Sequence, residues 1–350
     1  MQLRTIADYA RRVRPTLPPH VFEPAVSRLA WLPVHVVVIT GLVWAIAAGH
    51  VPAPLWPVVS LVIGCSLAGL TFLGHETLHG GVVRGRFAVR LVGFIGFLPF
   101  TISPTLWTGW HNRVHHNHCS QPGIDPDMYP TLAEYETQFV ARLMAFVGLG
   151  RRQPLTVITL LIGLTVQSQQ VLWTSLFLKV LTRAQLARAI VETLLQIAVW
   201  VAVAVLVGPL AFLFVYVLPL VVANAIVMAF IMTNHNLSPL TAINDPLVNS
   251  LSVTLPRSLE WVTLDFGYHV EHHLFPAMSM RHGRIVRAAL REQFPDHYQS
   301  LPLTTALNQL YSTARVYQDE VTLIDPPSGR TFPTLLPRQL AARDDVAASR

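Results

Sequence analysis

The sequence predicts an all-α integral membrane protein, with four transmembrane helices in two hairpins, interfacial or re-entrant helices between them, and a cytoplasmic histidine-rich cap. Three observations predict it. Of 350 residues, 52% are hydrophobic and 13% charged, and the mean hydropathy is +0.46, values foreign to a soluble domain. Four apolar runs of about 20 residues, the length a bilayer core demands, pair around short turns. Ten of the 15 histidines are grouped where apolar runs end.

Residues 1–28 carry Arg4, Arg11, Arg12, Arg14 and Arg28 and read as a cytoplasmic arm, part of it an interfacial helix, with no signal-peptide pattern. The first hairpin is expected from spans at 29–49 and 55–73, joined by His50-Val51-Pro52-Ala53-Pro54, and it delivers His75 and His79 at the membrane exit. The apolar stretch 91–107 is interrupted by Gly93, Gly96, Pro99 and Pro104. If it crossed the bilayer alone, the first two histidine groups would lie on opposite faces, so it is expected to be re-entrant or interfacial. The run 155–166 is short and is followed by Gln167-Ser168-Gln169-Gln170, which suggests a helix lying on the membrane. Spans at 190–207 and 210–232 form the second hairpin, with His235 just past its end. The membrane domain is expected over 29–300. Within it, a helix over 280–294 bears Arg281, Arg284, Arg287 and Arg291 on a face suited to anionic lipid, an acidic partner or solvent. The C-terminal extension, 301–350, is expected to become a flexible tail from Pro326.

The formal net charge of +6 rests on arginine, Lys179 being the only lysine. The loops at His50 and Gly208 carry neither residue, whereas the other connections are rich in arginine. The positive-inside rule therefore places both termini and every histidine group in the cytoplasm, which four spans also require by parity. No basic run interleaved with aromatics suggests nucleic acid. Cys65 and Cys119 offer no disulfide framework; Cys119 reads as a small loop residue, with metal ligation as its alternative.

Neutral imidazole is a common transition-metal ligand. His75 and His79, His111 and His115, and His269 and His272 stand about one helical turn apart and so project together. His116 and His273 each adjoin such a residue and point about 100° away, so each His-His doublet can divide between two ions. With His235 there are nine: His75, His79, His111, His115, His116, His235, His269, His272 and His273. Nine exceeds what one ion takes and suits two with open positions. Imidazole alone does not select iron over zinc, copper or nickel.

The segments His75-Glu76-Thr77-Leu78-His79, His111-Asn112-Arg113-Val114-His115-His116 and His269-Val270-Glu271-His272-His273 resemble the three histidine boxes of the membrane fatty acid desaturase and hydroxylase superfamily. The surroundings of the third, Tyr268 to Pro276, look most like acyl-lipid desaturases. The resemblance extends over roughly residues 30–300. It implies a non-haem centre of two iron ions that uses O2 and two electrons to introduce a cis double bond into an acyl chain. The substrate would be an acyl-lipid, acyl-CoA or acyl-carrier molecule. A ferredoxin or cytochrome b5-type protein with its reductase would supply the electrons as a separate partner, because His20 lacks the haem-domain His-Pro-Gly-Gly context. Where acyl-CoA desaturases carry an Asn four residues before the fourth-span histidine, this chain has Ile231. The third box opens with His269, not with the Gln of front-end desaturases. His118 fits no box and stands as a tenth candidate ligand. Carboxylates close in sequence, Glu76, Asp125, Asp127, Asp265 and Glu271, are candidates to orient the imidazoles from behind. His20, His35, His50, His282 and His297 are assigned no catalytic part.

Rival readings begin with His-Glu-x-x-His, the zinc-protease signature with Glu76 as base, which leaves the other groups idle. A metal transporter would hold its ligands near the bilayer midplane, unlike these groups. Within the superfamily, acyl or alkane hydroxylation and carotenoid oxygenation use the same centre.

Overall fold

The computed structural model describes residues 3–337 and is overwhelmingly helical. Helix α1, Ile6–Val13, opens with a reciprocal cap between Thr5 and Asp8 and buries Tyr9 and Val13. Helix α2, Trp31–Ala47, turns into α3, Trp56–Leu78, around His50–Pro54, as expected. The two differ in role: 67% of the apolar window ending in α3 is buried, against 17% of that containing α2. Thus α3 is the central pillar and α2 its outer flank. The helix also runs further than the predicted span, so that His75 lies inside it and His79 caps its end.

Helix α4, Arg86–Phe97, packs against α3 backbone to backbone. A Cβ at Gly96 would fall 2.5 Å from the Gly74 Cα. The glycines that look like interruptions in the sequence are therefore the contact surface of a helix pair. After Leu98–Phe100 and a left-handed Thr101 the chain bends by 99° into α5, Pro104–His118. The bent pair has the form of a broken span or of a re-entrant loop. The Ser103 hydroxyl caps α5 by accepting from the Leu106 N–H at 2.8 Å.

Helix α6, Phe139–Val147, precedes α7, Ile158–Thr174. Here the structure corrects the sequence reading. Gln167–Gln170 does not interrupt the helix, because its polar groups have partners: the Ser168 hydroxyl donates to the Thr165 carbonyl at 3.0 Å, and the Gln167 amide donates to Asp127. With its preceding turn, α7 is long and apolar enough to cross a membrane. Five such helices stand among the described residues, one more than the expected spans. The others beyond α2 and α3 are α8, Arg183–Val207, and α9, Leu218–His235, which is continuous in direction with a turn begun at Pro209. Both run longer than the predicted spans, α8 at its start and α9 at its end. Helices α7 and α9 are joined inside the bundle by Asn224, whose amide donates to the Thr165 hydroxyl at 2.9 Å.

Beyond His235 the chain forms a cap. Strand β1, Ser252–Thr254, leads to the short α10, His269–Leu274, then to α11, Gly283–Gln293. Strand β2, Ser300–Pro302, pairs in parallel with β1, Ser252 opposite Ser300. Helix α12, Leu303–Ser312, precedes an antiparallel sheet of β3, Val316–Tyr317, β4, Thr322–Asp325, and β5, Arg330–Pro333. The flexible tail expected from Pro326 is thus corrected up to Leu335: Pro326 to Gly329 form the β4–β5 turn, and the Leu335 N–H donates to the Leu237 carbonyl at 2.7 Å. The remainder, 338–350, lies outside the described residues. The basic face of α11 is also partly internal, since Arg287 is buried and donates to Glu271 at 3.1 Å. The N-terminal α1 packs on that helix, with the Tyr9 and Phe294 rings 4.9 Å apart.

Candidate metal centre

Four elements end at one point. Helix α3 brings His75 and His79, α5 brings His111, His115 and His116, α9 brings His235, and α10 brings His269, His272 and His273. All but the half-buried His79 are buried. The residues of α5 from Thr108 to His115 are π-helical, a wide turn with i to i+5 spacing. Hence His111 pairs with His116, five residues on, with Nε2 atoms 3.1 Å apart. The four-residue pairing of His111 with His115 expected from sequence gives way to this, although their rings still stack at 5.1 Å.

The ring nitrogens form two sets. His75, His79, His111, His116 and His272 place ligand atoms within 4.8 Å of one another. In this set His75 Nε2 lies 2.9 Å from His111 Nε2, and His272 Nε2 3.1 Å from His116 Nε2. His115, Cys119, His235 and His273 form the other set, with His269 Nε2 at 2.6 Å from His235 Nε2 and 3.1 Å from His273 Nε2; His269 thus meets His273, and its expected one-turn partner His272 belongs to the first set. Each doublet, His115-His116 and His272-His273, is divided between the sets.

A neutral imidazole nitrogen carries one proton or one lone pair. It cannot engage two neighbouring nitrogens at full strength, yet His111, His116 and His269 each face two. The Nε2 atoms of His79 and His115 are buried with no partner among the described residues. A cation between the rings relieves both problems. The residues fit two transition-metal ions held by imidazole.

The outer nitrogens are held unevenly. His115 Nδ1 lies 3.0 Å from Asp125 Oδ1 and 3.3 Å from Asp127 Oδ2. Asp125 also accepts from the backbone N–H groups of Ser120 at 2.9 Å and Asp127 at 3.0 Å. Burial raises the Asp125 carboxyl, but the adjoining His115 and these donors outweigh it and hold the group below the usual range. His235 Nδ1 faces the Asn249 carbonyl at 3.3 Å and the Cys119 sulfur at 3.5 Å, so Cys119 backs a histidine ring.

Of the five carboxylates singled out, only Asp125 and Asp127 touch the histidines. Glu76 turns away, accepting from the Ser279 hydroxyl and pairing with Arg28 at 3.2 Å. Asp265 binds the same arginine at 2.6 Å. Glu271 accepts from Ser252 and Tyr298 at 2.6 Å each and from Arg287. These three clamp the boxes to their surroundings because their nearest donors are on neighbouring segments. His118 lies outside both sets, with Nδ1 2.8 Å from the Gln121 side-chain oxygen.

Aromatic residues complete the walls. Trp107 stacks on His111 with centroids 4.4 Å apart, and Phe266 stands edge-on to His75 at 5.0 Å. The Trp107 contact was legible, being four residues before His111; Phe266, Asn249 and Gln167 come from distant segments and left no local signal. Above the histidines an apolar cleft runs between α3, α7 and α9, lined by Phe72, Leu164, Val227 and Ile231 and ending at His75, His111, His115, His235 and His269.

Comparison with known proteins accords with this geometry. Residues 51–304 match the fatty acid desaturase family. The chain belongs to that family. It is accordingly an oxidoreductase, a membrane protein whose histidine clusters are able to hold metal. Among desaturase-family relatives, the sn-1 oleoyl-lipid 12-desaturase of Synechocystis sp. is 23% identical over 350 aligned positions, covering 95% of this chain and 94% of its own. A Delta(12) acyl-lipid conjugase (11E,13E-forming) of Impatiens balsamina is 26% identical over 149 positions, 39% of each chain. The oleoyl-12-hydroxylase of Ricinus communis is 31% identical over 120 positions, 32% of this chain and 30% of its own.

Proposed function

We propose that the protein is an O2-dependent acyl-lipid desaturase with two iron ions, and that residues 29–300 form its catalytic membrane domain. The observation that carries the reading is the meeting of nine imidazoles, in two sets, at the end of an apolar cleft. His75, His79, His111, His116 and His272 would hold one ion, and His115, His235, His269 and His273 the other. The ions supply the oxidising power that an unactivated C–H bond requires. Overall, –CH2–CH2– + O2 + 2 e− + 2 H+ gives –CH=CH– + 2 H2O. The chain's own residues seat the acyl segment among Phe72, Leu164, Val227 and Ile231, exclude bulk water there, and keep the proton of His115 on Nδ1 against Asp125 and Asp127.

Desaturation is favoured over hydroxylation because the relative aligned along nearly the whole chain is an oleoyl-lipid desaturase, while the hydroxylase matches about a third. The protease reading is disfavoured by Glu76, which is engaged with Arg28 and Ser279. Electrons come from a separate ferredoxin or cytochrome b5-type donor with its reductase.

Topology follows from parity. The second and third histidine groups and His235 meet at one point, so the chain between His118 and His235 returns to the side it left. With α8 and α9 crossing as a hairpin, α7 begins and ends on that side. The protein therefore crosses four times, with its termini and metal centre on the arginine-rich cytoplasmic face.

Lipid analysis by gas chromatography, after expression in a host without desaturases, tests the reading. The expected result is a new monounsaturated or diunsaturated acyl chain that disappears in His115→Ala and His272→Ala. Hydroxylated chains alone would reassign the activity to hydroxylation, and unchanged lipids with a competent donor present would refute both.

A further inference from the structure

The Asp127 carboxylate joins the metal centre to the wall of the cleft. Its Oδ2 is 3.3 Å from His115 Nδ1, and its Oδ1 accepts from the Trp110 indole at 2.6 Å and the Gln167 amide at 2.9 Å. Asp125, on the same ring nitrogen, is fixed by two backbone N–H groups. Asp127 is different: among the described residues, the donors that fix its carboxylate are side chains. Both Asp127 and Gln167 line the apolar cleft, alongside Leu164 from the same helix as Gln167.

The placement of Gln167 is informative. It sits in a helix of apolar character, and among the described residues it is the only amide side chain lining the cleft. A half-buried amide beside an apolar path is costly unless it is paired. Its pairing is with a carboxylate in direct contact with His115, whose Nε2 has no hydrogen-bond partner among the described residues. Partners behind a metal-bound histidine fix its tautomer and ring orientation.

We propose that Gln167 is a positioning residue for the metal centre: from the cleft wall it holds Asp127 against the outer nitrogen of His115, linking what fills the cleft to the geometry at that histidine. The proposal rests on His115 being a metal ligand. Neither Gln167 nor helix α7 belongs to a histidine box, and the link gives the helix a part in the site beyond packing.

The test separates a hydrogen-bonding role from a space-filling one. Gln167→Met keeps most of the volume and removes the donor; Gln167→Ala removes both. Each is prepared in full-length protein loaded with Mössbauer-active iron and measured for iron content, Mössbauer spectrum, and kcat and KM on membrane acyl lipid. Both variants are expected to keep the wild-type iron content. One of the two iron signals should shift in both, and kcat should fall roughly ten-fold in Gln167→Met, the lower end for loss of such a partner, with little change in KM. In an Asp127→Asn background, Gln167→Met should add no further shift. A Gln167→Met protein with a wild-type spectrum and kcat would overturn the proposal, as would a Gln167→Ala defect confined to KM. If His115→Ala retains all its iron, the underlying ligand assignment fails instead, whatever the Gln167 variants show.

Discussion

At the scale of single residues, the boxes are rigid because their non-histidine members are tied elsewhere. Arg28 illustrates this. It is buried and bonds at once to Glu76 of the first box, to Asp265 and to the Leu264 carbonyl, the last two residues holding left-handed backbone at φ 58° and 53° respectively. Such backbone in non-glycine residues persists only when its surroundings enforce it. Replacing Arg28 by Met leaves the buried Glu76 carboxylate without its cation and Asp265 with only Arg257, 3.8 Å away. It should destabilise the protein by about 3–5 kcal/mol, read as a fall in detergent-solubilised unfolding midpoint; an unchanged midpoint would show the clamp to be idle. Asp125 acts on the metal side. Asp125→Ala should lower iron affinity or turnover by about 10–100-fold with membrane insertion intact, measured by metal analysis of purified protein.

At the scale of elements, close packing and cap docking make separate predictions. Gly96→Ala forces a Cβ to 2.5 Å from the Gly74 Cα, and since the contact is backbone no side chain can yield. Helix α4 must shift, at a cost of about 1–3 kcal/mol, and iron retention should fall because α3 carries His75; full retention with an unshifted midpoint would contradict the packing described. Helix α1 docks through Asp245, which accepts from the Arg4 N–H at 2.8 Å and the Tyr9 hydroxyl at 3.3 Å. Burial pushes this carboxyl up to about 6 despite those donors. A carboxyl whose folded pKa exceeds its unfolded one contributes stability that is full below the unfolded value and lost as pH rises through the folded one. Between about pH 4 and pH 6, wild type should therefore lose stability relative to Asp245→Asn, a difference read from paired thermal midpoints. Parallel midpoints across that window would refute it.

Elements also show where sequence reasoning succeeds and stops. The hairpin turns and the histidine spacings were legible because hydropathy and helical period are local. The π-helical turn in α5 was not, since nothing in Thr108–His115 announces i to i+5 bonding, and it re-pairs His111 with His116. Gln167–Gln170 looked like a helix end because its partner, Asp127, is 40 residues away in sequence. The strand after Pro326, Arg330–Pro333, hid behind a turn, and the residues that follow it, Thr334 and Leu335, donate to the distant Val321 and Leu237 carbonyls.

At the scale of the whole molecule, the account requires that all histidine-bearing ends share one side of the bilayer. Single cysteines introduced at Gly329 and near His50, in a background without Cys65 and Cys119, should react with impermeant reagent from opposite sides, Gly329 from the cytoplasm. Labelling of both from one side would break the parity on which the four crossings stand.

The most direct test of the central claim is the metal content of the purified full-length protein, taken with that of single-histidine variants. About two irons per chain are expected, with His272→Ala and His115→Ala each losing iron from its own set and so showing different residual Mössbauer signals. A single zinc per chain, retained in both variants and supporting peptide cleavage that depends on Glu76, would contradict the account.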